Sequence, residues 1–126
     1  MPGSLNTMSD IVLDLPLPPS TNKVRRVNWA GYLGYKSWMK NADANLMMRH
    51  QNKQHSIIAP YRITIEVDYS KLQSDLDNIV KALIDYCVSR AFVPDDRKRF
   101  LKGIAVEFVD HLPDGCRVTL RPISSG

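Results

Sequence analysis

The chain has 126 residues, 44% of them hydrophobic and 24% charged, which suits one ordinary globular core and excludes wholesale disorder or two full domains. Its 17 Lys and Arg against 13 Asp and Glu leave a net charge of +4, compatible with a polyanionic partner without requiring one. No apolar run reaches the length of a membrane span, and the N-terminus lacks the apolar core of a secretory signal, so a cytoplasmic protein with no membrane partner is expected.

Residues 1–10 are small and polar with Gly and Pro, and read as a flexible tail; residues 11–126 read as a single domain. Ile11, Leu13, Leu15 and Leu17 alternate along a strand that Pro18 and Pro19 end. Ser20 to Arg26 is polar and basic with no periodicity, a loop. From about Gly31 to His50 the apolar residues Tyr35, Trp38, Met39, Ala42 and Leu46 recur at helical spacing. Tyr61, Ile63, Ile65, Val67 and Tyr69 then alternate with Arg62, Thr64, Glu66 and Asp68, predicting a half-buried strand.

After a polar turn at Ser70–Ser74, one continuous stripe of Leu76, Ile79, Val80, Leu83, Ile84, Cys87 and Val88 predicts a helix to about Arg90. Ala91 to Pro94 turns the chain back. Two later strands, Ile104–Val109 and Arg117–Arg121, flank Leu112-Pro113-Asp114-Gly115, which reads as a hairpin turn. The expected architecture is α+β (mixed α/β): a small mixed sheet of about four strands packed on two main helices, in the order β-α-β-α-β-β. Cys87 lies on the apolar stripe as a core residue and Cys116 opens a strand; their spacing suits neither a disulfide framework nor a zinc site. His50, His55 and His111 also lack ligand spacing.

The acids are concentrated where the rest of the chain is basic. Asp75-Leu76-Asp77-Asn78-Ile79-Val80-Lys81 opens the second helix, and Asp95-Asp96 follows its end. One account is local: Ser74 or Asp75 caps the helix, and Asp77 complements the positive end of its dipole. In that account Asp77, Lys81 and Asp85, at successive i,i+4 positions, form a surface ion-pair row. The other account is chemical: carboxylates gather a divalent metal, and Lys81 offers its charge to a phosphate oxygen. At ~1.5 Å rise per residue the helix carries the chain ~20 Å from Asp75, so local geometry alone does not return Asp96 to that residue.

The pattern D-x-D-N-x-x-K, an apolar helix, and then an acidic Val-x-Asp-Asp resembles the RusA family of Holliday-junction resolvases. The likeness extends from Leu15-Pro16-Leu17-Pro18-Pro19-Ser20 through Tyr35-x-x-Trp38 to the last strands, with only the central motif specific. It implies a metal-dependent endodeoxyribonuclease that resolves four-way junctions by paired phosphodiester cuts in DNA recombination and repair, acting as a homodimer. It also implies Asp75, Asp77 and Asp96 as catalytic carboxylates and ligands of Mg²⁺ (or Mn²⁺), with Lys81 as the catalytic lysine and Asp95 as an acidic neighbour. Many relatives carry Gly before the Val of the second motif, where this chain has Ala91-Phe92-Val93, and Arg97-Lys98-Arg99 is unusually basic.

Substrate contacts are expected from Lys23, Arg25 and Arg26 in the loop and from Lys36 on the first helix, with Lys40 and Arg49 as weaker candidates. Trp29 or Tyr32 would stack on an unpaired base, or else pack in the core. Two other functions fit the same residues. One is a non-catalytic nucleic-acid-binding prophage accessory protein with a structural acid cluster. The other is a small-nucleotide phosphohydrolase, which would not need the basic loop.

Overall fold

The computed structural model describes residues 9–19, 29–72, 76–97 and 99–123, with only the backbone described for 29–33. The elements are β1 (Ile11–Pro16), α1 (Trp29–Met48), β2 (Tyr61–Asp68), a single 3₁₀ turn (Tyr69–Lys71), α2 (Leu76–Ser89), β3 (Leu101–Val109) and β4 (Gly115–Pro122). They form one four-stranded mixed sheet in the spatial order β1-β4-β2-β3. The α+β architecture expected from periodicity is therefore the one found.

Register explains the core. Leu13 is opposite Val118, Ile63 opposite Leu120 and Ile65 opposite Val106, so the apolar positions of all four strands share one face. Both helices cover that face. Trp38, Ala42 and Leu46 of α1 and Ile79, Leu83 and Cys87 of α2 are buried in one cluster with the strand residues. The Trp38 ring stands edge-on to Tyr86, with centroids 5.3 Å apart. The opposite face carries Arg62, Thr64, Glu66, Arg117 and Thr119 and is covered by neither helix.

The expected hairpin between the last two strands does not form. β3 pairs with β2 in parallel, and β4 runs antiparallel between β1 and β2. Leu112–Gly115 is still a turn, closed by Gly115 N–H donating to the Leu112 carbonyl at 3.1 Å. It sits in a crossing that carries the chain over the end of β2. That crossing needs left-handed backbone at His111 (φ 65°) and a positive φ at Gly115 (120°). A side chain at Gly115 would also come within 3.0 Å of the Leu17 backbone nitrogen.

Asp68, expected on the polar side of β2, is instead buried at 1% exposure. Its carboxylate accepts hydrogen bonds from the Ser70 hydroxyl (2.6 Å), the Ser70 amide (3.0 Å) and the Leu112 amide (3.0 Å). One side chain thus fastens the crossing and the 3₁₀ turn to the end of β2. Tyr69, expected on the inner face of that strand, lies past its end at 65% exposure and stacks edge-on to Phe108.

The two sheet edges are treated differently. Along β1, side chains act as a substitute strand: Trp38 Nε1 donates to the Pro16 carbonyl, Asn45 Nδ2 to that of Asp14 and Gln54 Nε2 to that of Val12. Gln51 Oε1 accepts from the Asp14 amide, while Gln51 Nε2 and Arg117 Nε bind its carboxylate. No side chain among the described residues does the same for the outer edge of β3.

Candidate active site

α2 is amphipathic, so fixing its apolar stripe in the core turns Asp77, Lys81 and Asp85 outward, all three exposed. Asp77 lies in the first turn, where its charge also favours the helix dipole. The Lys81 ammonium stands 4.0 Å from the Asp85 carboxylate, with the lysine side chain 72% exposed. Such a pair contributes no more than ~0.5 kcal/mol, so it leaves Lys81 free to serve another anion.

The second acidic segment follows a tight helix exit. Ala91 takes a left-handed conformation (φ 61°), the Phe92 amide donates to the Cys87 carbonyl at 3.0 Å, and the Ala91 amide donates to that of Val88 at 3.0 Å. This is the doubly bonded C-cap in which Gly is the usual residue. Phe92 and Val93 are buried after it and anchor the loop without forming a strand. The Ile57 amide and the Ser56 hydroxyl hold it from outside, at the Phe92 and Ala91 carbonyls. The Tyr61 hydroxyl donates to the Asp95 carbonyl at 2.7 Å.

Asp95 and Asp96 then divide in role. The Asp95 carboxylate accepts from the amides of Asp96 (2.7 Å) and Arg97 (3.3 Å), and Arg97 Nε pairs with it at 2.9 Å. Burial opposes ionisation, yet these amides and the guanidinium outweigh it and hold the Asp95 carboxyl below its ordinary range. Asp95 is therefore committed to its own turn, while Asp96 is exposed beside it. Burial raises the Asp85 carboxyl; Lys81 opposes that rise and Asp96 adds to it.

On the same face of α2, Asp85 lies one turn past Lys81 and Asp77 one turn, ~6 Å, before it. Among the described residues no three His, Cys, Asp or Glu side chains are grouped to hold a metal ion. Asp75 lies outside the described residues, as do Lys23, Arg25, Arg26 and Lys98.

Of the other proposed contacts, Lys36 and Lys40 are exposed on α1, whereas Arg49 is ion-paired to Asp114. The side chains of Trp29 and Tyr32 are outside the described set. Arg97 is engaged by Asp95, and the Arg99 guanidinium lies over the Phe100 ring at 5.0 Å. The basic run is thus partly structural.

Two features were not anticipated. A cleft of about 620 Å³ opens between the Pro16–Pro19 exit, the Gly34, Ser37, Trp38 and Asn41 side of α1, Lys71, and Ile79 near the start of α2. The Pro-rich exit was its only sequence sign. The second is a polar clasp between the helices: Arg90 binds Asp43 through Nε and Nη2, both at 2.9 Å, and the Tyr86 hydroxyl donates to Asp43 at 2.6 Å. Because Arg90 and Asp43 are 47 residues apart, no local spacing signals it.

Comparison with known proteins adds no identity, since neither a family model nor a curated protein matches this chain. No helix among the described residues is long and apolar enough to cross a membrane.

Proposed function

We propose that this chain is a cytoplasmic, Mg²⁺-dependent, structure-specific endodeoxyribonuclease, with Mn²⁺ able to replace Mg²⁺, that resolves four-way DNA junctions as a homodimer. The observation that carries the reading is Asp77 and Lys81 one turn apart on the solvent face of a helix rooted in the core. The cleft of about 620 Å³ beside that helix supports it by offering a concave surface next to the motif. The D-x-D-N-x-x-K and Asp95-Asp96 pattern, with its likeness to RusA resolvases, supplies the substrate class.

The donor set suits the ion. Asp75, Asp77 and Asp96 offer hard carboxylate oxygens, and exposure of Asp77 and Asp96 leaves room for the waters that Mg²⁺ retains. Bound there, Mg²⁺ would supply charge neutralisation at the scissile phosphate and orient water. The chain's own contribution is positional. The core-packed helix keeps Lys81 aimed outward, where its ammonium stabilises the charge that develops on the phosphorane oxygens. A carboxylate not engaged by metal accepts the proton of the attacking water. Lys23, Arg25, Arg26 and Lys36 bind backbone phosphates without reading sequence.

Cleavage of a labelled synthetic four-way junction tests the proposal, with and without Mg²⁺, using wild type and Asp77→Asn. Symmetric, metal-dependent nicks that vanish in the variant, with junction binding retained, are expected. The alternative is a non-catalytic nucleic-acid-binding prophage accessory protein, favoured by one observation: Asp77 in the first turn of α2 and Lys81 paired with Asp85 each have a structural role on the helix. Tight junction binding with no cleavage in Mg²⁺ or Mn²⁺ would select it and reject the nuclease.

A further inference from the structure

We infer that the outer edge of β3 is a docking surface for a second copy of this chain, joined by antiparallel β3–β3 pairing about a two-fold axis. The inference names an interface that the nuclease reading leaves open, and it stands on the edge strand alone, independent of any chemistry on DNA.

β3 is a nine-residue strand at the end of the sheet order, bonded to β2 on one side only. A long open edge presents a row of unpaired N–H and C=O groups, and natural sheets normally blunt it. This chain does so at the other end, where Trp38, Asn45, Gln51 and Gln54 occupy the outward backbone groups of β1. At β3 no such cover exists among the described residues. Instead, Ile104 and Phe108 are each 51% exposed, and Tyr69 extends the patch by packing on Phe108 at 5.2 Å. Open edge and apolar surface coincide.

The sequence of the edge says what fits it. A two-fold axis perpendicular to a sheet keeps each side chain on its own face, so residues of equal parity are set opposite one another. Ile104, Val106 and Phe108 share the inner face, as their partners Ile63, Ile65 and Val67 require. With the axis at Val106, Ile104 faces Phe108 of the second copy, Phe108 faces Ile104, and Val106 faces itself. The same register brings Lys102, the extra residue at the irregularity near the start of β3, toward Asp110, one residue past the strand's end. Both are exposed, and neither has a partner among the described residues. Apolar pairs at the centre, with opposite charges flanking them at either end, make the edge complementary to its own inverted copy. The assembly doubles the sheet and removes the open edge.

Molar mass from sedimentation equilibrium, on the full chain without DNA, tests the interface. Wild type is expected at twice the chain mass, and Ile104→Lys/Phe108→Lys at the single mass with an unchanged circular dichroism spectrum. Those residues are half exposed, so the variant does not disturb the core. Oxidative cross-linking reads the register: Val106→Cys, opposite itself, is expected to form a disulfide-linked dimer on a non-reducing gel. Ala105→Cys, opposite Glu107, is not. Native Cys87 and Cys116 are buried and do not interfere. A monomeric wild type, a dimer that survives the double lysine variant, or cross-linking through Ala105→Cys but not Val106→Cys would each overturn the assignment.

Discussion

Ala91→Gly is expected to make this protein more stable. Ala91 ends α2 at φ 61°, where a Cβ crowds the following carbonyl, a conformation costing an L-residue ~1–2 kcal/mol. Both cap hydrogen bonds at the site are backbone bonds, from the Ala91 and Phe92 amides, so glycine keeps them. The Ala91 side chain is exposed, so removing its methyl group sacrifices little packing. Against this, glycine widens the unfolded ensemble by ~0.4–1 kcal/mol. The balance is a gain of ~0.5–1 kcal/mol, or a Tm rise of ~2–4 °C for a domain of this size. Calorimetry of wild type, Ala91→Gly and Ala91→Val measures it, with the β-branched variant expected below wild type. His50→Gly is a second instance, because His50 (φ 58°) ends α1 with the same two bonds, to Leu46 and Met47. An unchanged or lowered Tm for Ala91→Gly would refute the argument that this turn stores backbone strain.

Other outcomes follow from single contacts. Lys81→Ala should reduce junction cleavage on the order of 100-fold, the loss typical of removing one transition-state donor. It should alter stability by less than ~0.5 kcal/mol, since the Asp85 pair is exposed and 4.0 Å long; a large loss of stability would make Lys81 structural. Tyr61→Phe removes the donor to the Asp95 carbonyl and should cost ~1 kcal/mol in urea denaturation, with a further drop in activity if that loop holds Asp96 in place. Asp68 is expected to contribute to the protein's acid stability. The Ser70 hydroxyl, then the Leu112 and Ser70 amides and Lys71, hold its carboxyl at about 2 against an ordinary 3.8, while desolvation opposes them. A depressed folded value means stabilisation that is complete above the unfolded value and fades as pH falls from there toward 2. Asp68→Asn should flatten the pH dependence of Tm across that window; an unchanged profile would assign acid unfolding to other carboxylates.

The central motif was legible as a string because a first-turn acid and a lysine four residues later are a local pattern on one helix. The departure at Ala91 was legible too, and the positive φ there gives it a physical meaning. Asp85 was visible only as part of an ion-pair row. What sets it apart is partial burial, which raises its carboxyl, with the charge of Asp96 adding to that rise. Neither the Asp43–Arg90–Tyr86 clasp nor the cleft at the start of α2 has a periodicity to betray it, because each draws on elements far apart in the chain.

Local physics sufficed for the elements themselves. Alternation at Tyr61–Val67 and the stripe from Leu76 to Val88 state which side of each strand or helix is apolar, since a two-residue or 3.6-residue period is a property of neighbours. From those periods follow the element order, the two helices and the buried face. Strand neighbours are a different matter. Asp-Gly between two apolar runs favours a hairpin by short-range energetics, yet β4 gains two partners by inserting between β1 and β2, where β3 would have offered one. That choice removes Asp68 from solvent, leaves β3 with an open edge and sends the Leu112–Gly115 turn across the end of β2. It is made by long-range pairing and burial, summed over the whole sheet, and only the tertiary structure records it.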